Sequence, residues 1–270
     1  MKNLIITGAS DGIGAEMARQ LAQRHGPEAG LVLAARNEAL LEEVARQCRS
    51  HGSEVLVVPT DVADAAQCRA LVERSVERFG WLDALVNNAG VSGHSLFEDV
   101  QAEDLGWYED LMRVNLWGSV WCTHAALPHL KASRGQLVAV SSLAGLVGLP
   151  GRTAYSASKF AMTGFFEALR AELKPAGVSV TTAFPGVVAT QIRYRGYNAA
   201  GQAAGASGLK EDKAMPVDVC ARLILDGMER RQREVVMERR AKVGRYLKLL
   251  MPGLVENMAL SALKDEVKPQ

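Results

Sequence analysis

Tyr155 and Lys159, in the run YSASK, stand four residues apart, so on a helix the phenol and the ammonium share one face. Such a pair can work as an acid-base catalyst. A free tyrosine titrates near about pH 10, and a fixed positive charge within roughly 4–6 Å stabilises the phenolate and draws proton exchange towards neutral pH. Thirteen residues upstream, in SSLAG, the Ser142 hydroxyl could hydrogen-bond an oxygen on which charge grows. Asn115 lies in a helix-forming run, where asparagine is a mediocre former. By itself it could be a working amide or a polar residue facing solvent.

A second constellation opens the chain. TGASDGIG follows a short apolar run and sets Gly8, Gly12 and Gly14 as G-x-x-x-G-x-G before a helix with the apolar stripe Ile13, Met17, Leu21. Glycines permit a tight turn and close backbone approach, and a helix N-terminus offers unpaired N–H groups and partial positive charge to a pyrophosphate. No GK[ST] follows, which argues against a nucleoside-triphosphate loop. A dinucleotide turn and a methyltransferase glycine loop both fit the bare spacing. Cofactor choice is read at the end of the second strand, where a carboxylate would bind the ribose hydroxyls of NAD and repel the 2′-phosphate of NADP. Here stand Ala35 and Arg36. The guanidinium suits a phosphate, and Ser10 and Asn37 could add hydrogen bonds.

The elements that must position these groups follow from the alternation of short apolar runs with helix-period segments, which predicts an α/β fold with a doubly wound parallel sheet. The strands read as Leu4 to Thr7, Leu31 to Ala35, Val55 to Pro59, Ala84 to Asn87, Gln136 to Ser141, Ser179 to Phe184 and Glu234 to Met237. Each is nearly continuously apolar, as strands covered on both faces are. Leu40, Leu41, Val44, Ala45 and Cys48 form one helix stripe, and Cys68, Leu71, Val72, Val76 and Phe79 another. The helices near Leu111 to Leu130 and Ala154 to Leu173 carry apolar residues such as Trp117, Trp121, Phe160 and Phe165 on more than one face. A second apolar face needs a second partner, either a covering loop or another subunit.

Composition bounds the rest. With 270 residues, 48% hydrophobic, the chain can bury one large core, and its net charge of +1 suggests no nucleic-acid partner. Cys48, Cys68, Cys122 and Cys220 are scattered singly, as buried reduced thiols are, and no histidine pair has metal-ligand spacing. His25, His51, His124 and His129 read as helix-end or surface residues, while His94 could border a substrate pocket. The first apolar run is too brief for a signal-peptide core or a membrane span, so a cytoplasmic location is expected. The stretch from Gly196 to Gly208 is rich in alanine and glycine and is expected to pack little and move. From Glu229 to Lys248 eight basic residues face three acidic ones, and the charges then interleave with apolar residues through Leu263. Such a basic amphipathic segment can lie at an anionic membrane surface or pack on protein.

Taken in order, these motifs resemble the classical single-domain short-chain dehydrogenase/reductases over roughly residues 3 to 237, and the extension 238–270 is similar to tails near the hydroxysteroid-dehydrogenase group. The resemblance implies a Rossmann fold and a catalytic tetrad of Asn115, Ser142, Tyr155 and Lys159, with Asn115 linked to Lys159 through water. It implies a cofactor site of Gly8, Ser10, Gly12, Ile13, Gly14, Arg36, Asn37, Asp61, Val62, Asn88, Ala89, Gly90, Pro185, Gly186, Val188 and Thr190, joined by Tyr155 and Lys159. Asp61 would take the adenine amino group, and the NNAG segment, Asn87 to Gly90, would close the adenine side. NADP(H) is the implied cofactor, although Asp11 stands where many NADP-preferring relatives are basic. A homodimer or homotetramer through the two double-faced helices is implied too, with a substrate lid over 193–213. The expected activity is alcohol–carbonyl interconversion on a fairly apolar small molecule by hydride transfer. The alternative is a non-catalytic nucleotide-binding, membrane-associating protein, which would have no need of all four groups. A sugar-nucleotide epimerase or dehydratase of the same superfamily would carry a larger C-terminal substrate region.

Overall fold

The computed structural model describes residues 2–205 and 214–266. Strands β1 (Lys2–Thr7), β2 (Ala29–Ala35), β3 (Glu54–Pro59), β4 (Ala84–Asn87), β5 (Gln136–Val140), β6 (Ser179–Phe184) and β7 (Glu234–Val236) form one all-parallel sheet in the order β3-β2-β1-β4-β5-β6-β7. Each lies within about two residues of the strand expected from sequence. Leu4 and Ile6 point to one face and Ile5 to the other, and Leu31 and Leu33 likewise oppose Val32 and Ala34. Two apolar layers result. Helices α1 (Gly12–His25), α2 (Glu38–Arg49) and α7 (Val217–Glu229) cover the first face, while α3 (Ala65–Phe79), α5 (Gly118–Ser133) and α6 (Thr153–Leu173) cover the second.

Local chemistry fixes the helix ends that matter. Asp11 caps α1 by accepting from Gly12 N at 2.7 Å, and Asp64 caps α3 by accepting from Ala66 N and Gln67 N at 2.8 and 3.2 Å. Those N–H bonds draw the Asp64 carboxyl below the usual range. At its far end α3 stops at Gly80, whose φ of 83° few other residues adopt. The expected run from Leu111 to Leu130 is a composite: α4 (Gly106–Met112) passes through a π-helical turn, Arg113–Trp117, into α5. Asn115 lies within that turn and is fully buried.

Strand order reverses between β1 and β4, so the connections leaving their carboxyl ends run to opposite faces and leave a crevice, the place where open α/β sheets hold ligands. Thr7 knits its floor. Its Oγ1 accepts from Asn88 N and Ala89 N, both at 3.0 Å, and donates to Val86 O at 3.2 Å.

One expectation changes here. The Ala/Gly-rich stretch does pack over its described part: Tyr197 N donates to Ser92 O, Ala204 N to Gly196 O and Asn198 N to Gln202 O, and the Tyr197 ring stacks obliquely on Trp107 at 5.8 Å. Tyr197 supplies the anchor that the small residues lack. The remainder of the expected lid, 206–213, lies outside the described residues. The tail forms α8 (Arg239–Leu250) and α9 (Pro252–Glu266), which pack chiefly on each other. Arg245 pairs with Glu234, Lys248 Nζ donates to Leu146 O at 3.1 Å, and Leu263 lies against Gly151. Tyr246, Leu249, Leu250, Met251, Leu254 and Met258 stay exposed, Leu250 at 82%.

Candidate active site

A cleft of about 950 Å³ runs along the carboxyl edge of the sheet. One end is the glycine turn after β1 with Arg36 after β2; the other is lined by Ser142, Tyr155 and Lys159. At the glycine end the close approach is real. Gly8 has φ 67°, and a Cβ there would come 2.8 Å from Ala89 Cα; one on Gly14 would run into the Gly8 carbonyl oxygen. Asn88 Nδ2 ties that turn to β4 by donating to Thr7 O and Gly8 O at 3.0 and 3.2 Å. Gly12 passes under Thr190, whose Cγ2 would meet a Cβ at 3.2 Å. This cradle, open at the N-terminus of α1, fits the diphosphate of a dinucleotide, with Ser10, Gly12, Ile13 and Thr190 lining it. Arg36, Asn37, Asp61 and Val62 line the same end and would hold the adenosine half.

At the other end α6 brings the pair together. Tyr155 and Lys159 are both buried, Lys159 at 3% exposure, with the ammonium 5.8 Å from the Tyr155 ring centre. Lys159 Nζ donates to Val140 O at 3.0 Å. Ser142, in the loop leaving β5, accepts from Ala144 N at 3.2 Å and hydrogen-bonds the Tyr155 phenol. Its neighbour Ser141 is committed to scaffolding, with Oγ 3.2 Å from Lys159 O and 3.0 Å from Thr163 Oγ1. Asn115 sits beneath the cleft. It accepts from Val91 N at 2.8 Å, donates to Val91 O at 3.0 Å and to Ser158 Oγ at 2.9 Å, and Ser158 Oγ donates to Tyr155 O at 2.8 Å. Its described bonds thus run to the loop after β4 and to α6 rather than to Lys159. Gly90 separates the two, since a Cβ on it would meet Asn115 Oδ1 at 3.1 Å and Lys159 Nζ at 3.6 Å.

The electrostatics correct one expectation. Burial raises the Tyr155 phenol above its usual value, with the Ser142 hydrogen bond and the Arg152 charge pulling the other way. Burial also lowers Lys159, to about 8. The positive charge that should ease the phenol's ionisation is itself desolvated and spent on the Val140 carbonyl. A protonated buried phenol beside Ser142 can still donate to a substrate oxygen on which charge develops.

Of the residues expected at the site, Gly8, Ser10, Gly12, Ile13, Arg36, Asn37, Asp61, Val62, Asn88, Ala89, Gly90, Ser142, Tyr155, Lys159, Pro185, Gly186, Val188 and Thr190 all line this cleft. Gly14 and Asn115 are absent from its lining and support it from behind. Asn87 turns to the opposite face, where Nδ2 donates to Thr123 Oγ1 at 3.0 Å. Asn37 has a second task, capping α2 through Leu40 N. Three arginines also line it: Arg152, which sequence reasoning missed, and Arg193 and Arg195 at the start of the expected lid. Arg195 Nη2 lies 2.9 Å from Asp11 Oδ2 across the cleft mouth, a contact 184 positions apart that no local pattern announces. Arg152 could have been flagged, being three residues before Tyr155. His94 borders Gly151, and burial and the Arg152 charge lower it. The four cysteines are free and buried.

Known proteins bear on this site. A family model for short chain dehydrogenase matches residues 2–199. The 11-beta-hydroxysteroid dehydrogenase A of Sesamum indicum is 38% identical over 261 residues, 94% of this chain and 73% of that protein. The 11-beta-hydroxysteroid dehydrogenase-like 4A of Arabidopsis thaliana is 45% identical over 188 residues, 69% of this chain and 61% of that protein. Among solved structures, a short chain dehydrogenase/reductase of Burkholderia phymatum in complex with NAD superposes with a TM-score of 0.79 at 26% identity, covering 94% of both chains. An alcohol dehydrogenase of Thermococcus sibiricus complexed with 5-hydroxy-NADP does so with 0.74 at 27% identity, over 88% of this chain and 96% of that one.

Proposed function

The chain belongs to the short-chain dehydrogenase family, and on that footing we propose that it is an NADP(H)-dependent oxidoreductase interconverting an alcohol and a carbonyl on a fairly apolar small molecule. One observation carries this: a glycine cradle and a cluster of half-buried Ser142 with buried Tyr155 and Lys159 occupy the two ends of a single cleft. A bound nicotinamide supplies or accepts the hydride. In the reducing direction Tyr155 gives its phenolic proton to the substrate oxygen, and in the oxidising direction it takes the proton back. Ser142 steadies the same oxygen, and Lys159 holds positive charge beneath the phenol. Asn115 and Ser158 fix the start of α6, and with it the aim of Tyr155. Support for the phosphorylated cofactor comes from Arg36 at the end of β2 and from Arg195, which neutralises the Asp11 carboxylate beside it. The solved relatives include one bound to an NADP derivative and one to NAD.

The test is Tyr155→Phe, which keeps the ring and removes the proton. Turnover across a carbonyl and alcohol panel should fall about 10²–10⁴-fold, with nucleotide binding retained. A variant keeping more than about a tenth of kcat refutes the role, and a wild type that binds nucleotide yet reduces and oxidises nothing favours the non-catalytic alternative.

We propose also that a second copy covers the face bearing Trp117, Trp121 and Phe160. Trp117 is 48% exposed and stacks on Trp121, and a hollow of about 380 Å³ opens between Tyr108, Met112, Trp117 and Ala157. For the tail we propose peripheral contact with an anionic membrane, supported by the exposed apolar residues of α8 and α9 set among lysines and arginines. No described helix is long and apolar enough to cross a membrane.

A further inference from the structure

The arginines lining the cleft have different occupations. Arg36 stands at the end of β2, Arg195 pairs with Asp11, and Arg193 Nη1 donates to Val188 O at 3.4 Å. Arg152 is placed otherwise. It is half-buried, lines the cleft, and sits one turn before Tyr155 at the entry to α6. No described carboxylate forms an ion pair with it. The acidic residues that line the cleft, Asp11, Glu38 and Asp61, follow β1, β2 and β3, and so belong to the glycine-turn end.

Its backbone is held firmly. Arg152 N donates to Leu149 O at 3.1 Å, Ser156 N to Arg152 O at 2.8 Å, and Ser95 N to the adjacent Gly151 O at 2.9 Å, joining the loop after β4 to the start of α6. Arg152 is also the N-cap of this 21-residue helix, and its side chain caps no N–H group. Two positive features, the guanidinium and the helix terminus, therefore meet at one place. The guanidinium is close enough to pull down both the Tyr155 phenol and the His94 imidazolium. A half-buried cation without a carboxylate partner is costly, and a planar fork fits a carboxylate with two hydrogen bonds. Val91, Val187 and Ile192 give the same cleft apolar wall.

We propose that Arg152 is a substrate-recognition residue that binds a carboxylate on an otherwise apolar substrate whose carbonyl or alcohol lies at Ser142 and Tyr155. This rests on the oxidoreductase reading above and narrows its substrate class to oxo acids and hydroxy acids with an apolar body. A substrate carboxylate would complete the ion pair that the described residues leave open. It would also fix which end of the molecule enters the cleft first.

The experiment compares an apolar oxo acid with its methyl ester, its primary amide and a phosphate-bearing analogue, in wild type, Arg152→Gln and Arg152→Lys. The acid-to-ester ratio of kcat/KM is the readout, because both substrates use the same phenol and any change that Arg152 makes to Tyr155 cancels. In wild type the acid should lead by roughly 10- to 100-fold, as a charge-assisted pair contributes. In Arg152→Gln the ratio should collapse towards one, chiefly through KM for the acid, and Arg152→Lys should restore part of it. A second readout needs no turnover: a saturated carboxylic acid of the same length, titrated calorimetrically without nucleotide, should bind wild type more tightly than Arg152→Gln. Melting temperatures of both variants guard against misfolding. Equal turnover of acid and ester in wild type overturns the proposal, as does an acid preference that survives Arg152→Gln, or a preference for the phosphate analogue over the acid. If no carbonyl is turned over while the unreactive acid still binds through Arg152, the oxidoreductase reading fails and the carboxylate site stands.

Discussion

Replacing Lys159 by methionine should make the protein more stable at neutral pH while removing its catalysis. Lys159 is 3% exposed, and burial brings its ammonium from 10.5 to about 8. At 1.36 kcal/mol per unit, holding that charge in the fold costs on the order of 3 kcal/mol wherever both folded and unfolded states are protonated, that is, below about pH 8. Methionine has a similar length and no charge, and Met162 Sδ already lies 3.9 Å from the ammonium. Against the gain stands the Val140 carbonyl, which loses its 3.0 Å bond at a cost of about 1 kcal/mol. The net is about 2 kcal/mol, or roughly 4 °C in Tm for a chain of this size. Between about pH 8 and 10.5 the unfolded lysine binds a proton that the folded one does not, so wild type gains stability as pH rises through this window and the variant does not. The variant's advantage is therefore largest below pH 8 and gives way to a deficit of about 1 kcal/mol, the lost Val140 bond, by pH 10.5. Urea unfolding of both proteins without added nucleotide, at intervals from pH 7 to 10.5, measures the difference directly, and titrating groups remote from Lys159 cancel. A variant less stable than wild type at pH 7, or a difference that stays flat across the window, would refute the burial argument.

The remaining predictions concern the cradle, the cofactor, the positioning of α6 and the tail. Gly14→Ala drives a Cβ into the Gly8 carbonyl and Asn88 Nδ2, so nucleotide affinity measured by fluorescence titration should fall at least tenfold; unchanged affinity would show that the turn can relax. Arg36→Asp should lower the NADPH-to-NADH affinity ratio, and an unaltered ratio would mean that Arg36 does not meet the 2′-phosphate. Asn115→Ala strands Val91 N–H and Ser158 and should cost about 3 kcal/mol in denaturant unfolding, with a loss under about 1 kcal/mol counting against its bracing role. Removing residues after Met237 should abolish co-sedimentation with anionic vesicles, which in the full chain should weaken with salt; binding that survives the deletion, or a change of oligomer mass without any vesicle binding, would reassign the exposed face of α8 and α9.

The sequence by itself determined the sheet, because doubly covered parallel strands are written as short continuous apolar runs, and all seven could be placed to within about two residues. It also determined the chemistry of the cleft's two ends. TGASDGIG and YSASK are local patterns, each confined to one turn or one helix, so side-chain spacing alone sets their geometry. The family resemblance places Ser142 in the tetrad, and tertiary contacts give its neighbour Ser141 a different task, between Lys159 O and Thr163. What only the tertiary structure decided is whatever depends on groups distant in sequence. Asn115 faces inward because a π-helical turn interrupts α4 and α5, and its partners Val91 and Ser158 come from other elements. Arg195 crosses the cleft to Asp11, and Arg152 reaches the catalytic end only because the loop after β4 pins the start of α6. The protonation of Tyr155 and Lys159 belongs to the same class. Spacing indicated that a charge would sit near a phenol, but the direction of each shift depends on how much water the packed fold removes from both, a quantity set by every element around the cleft.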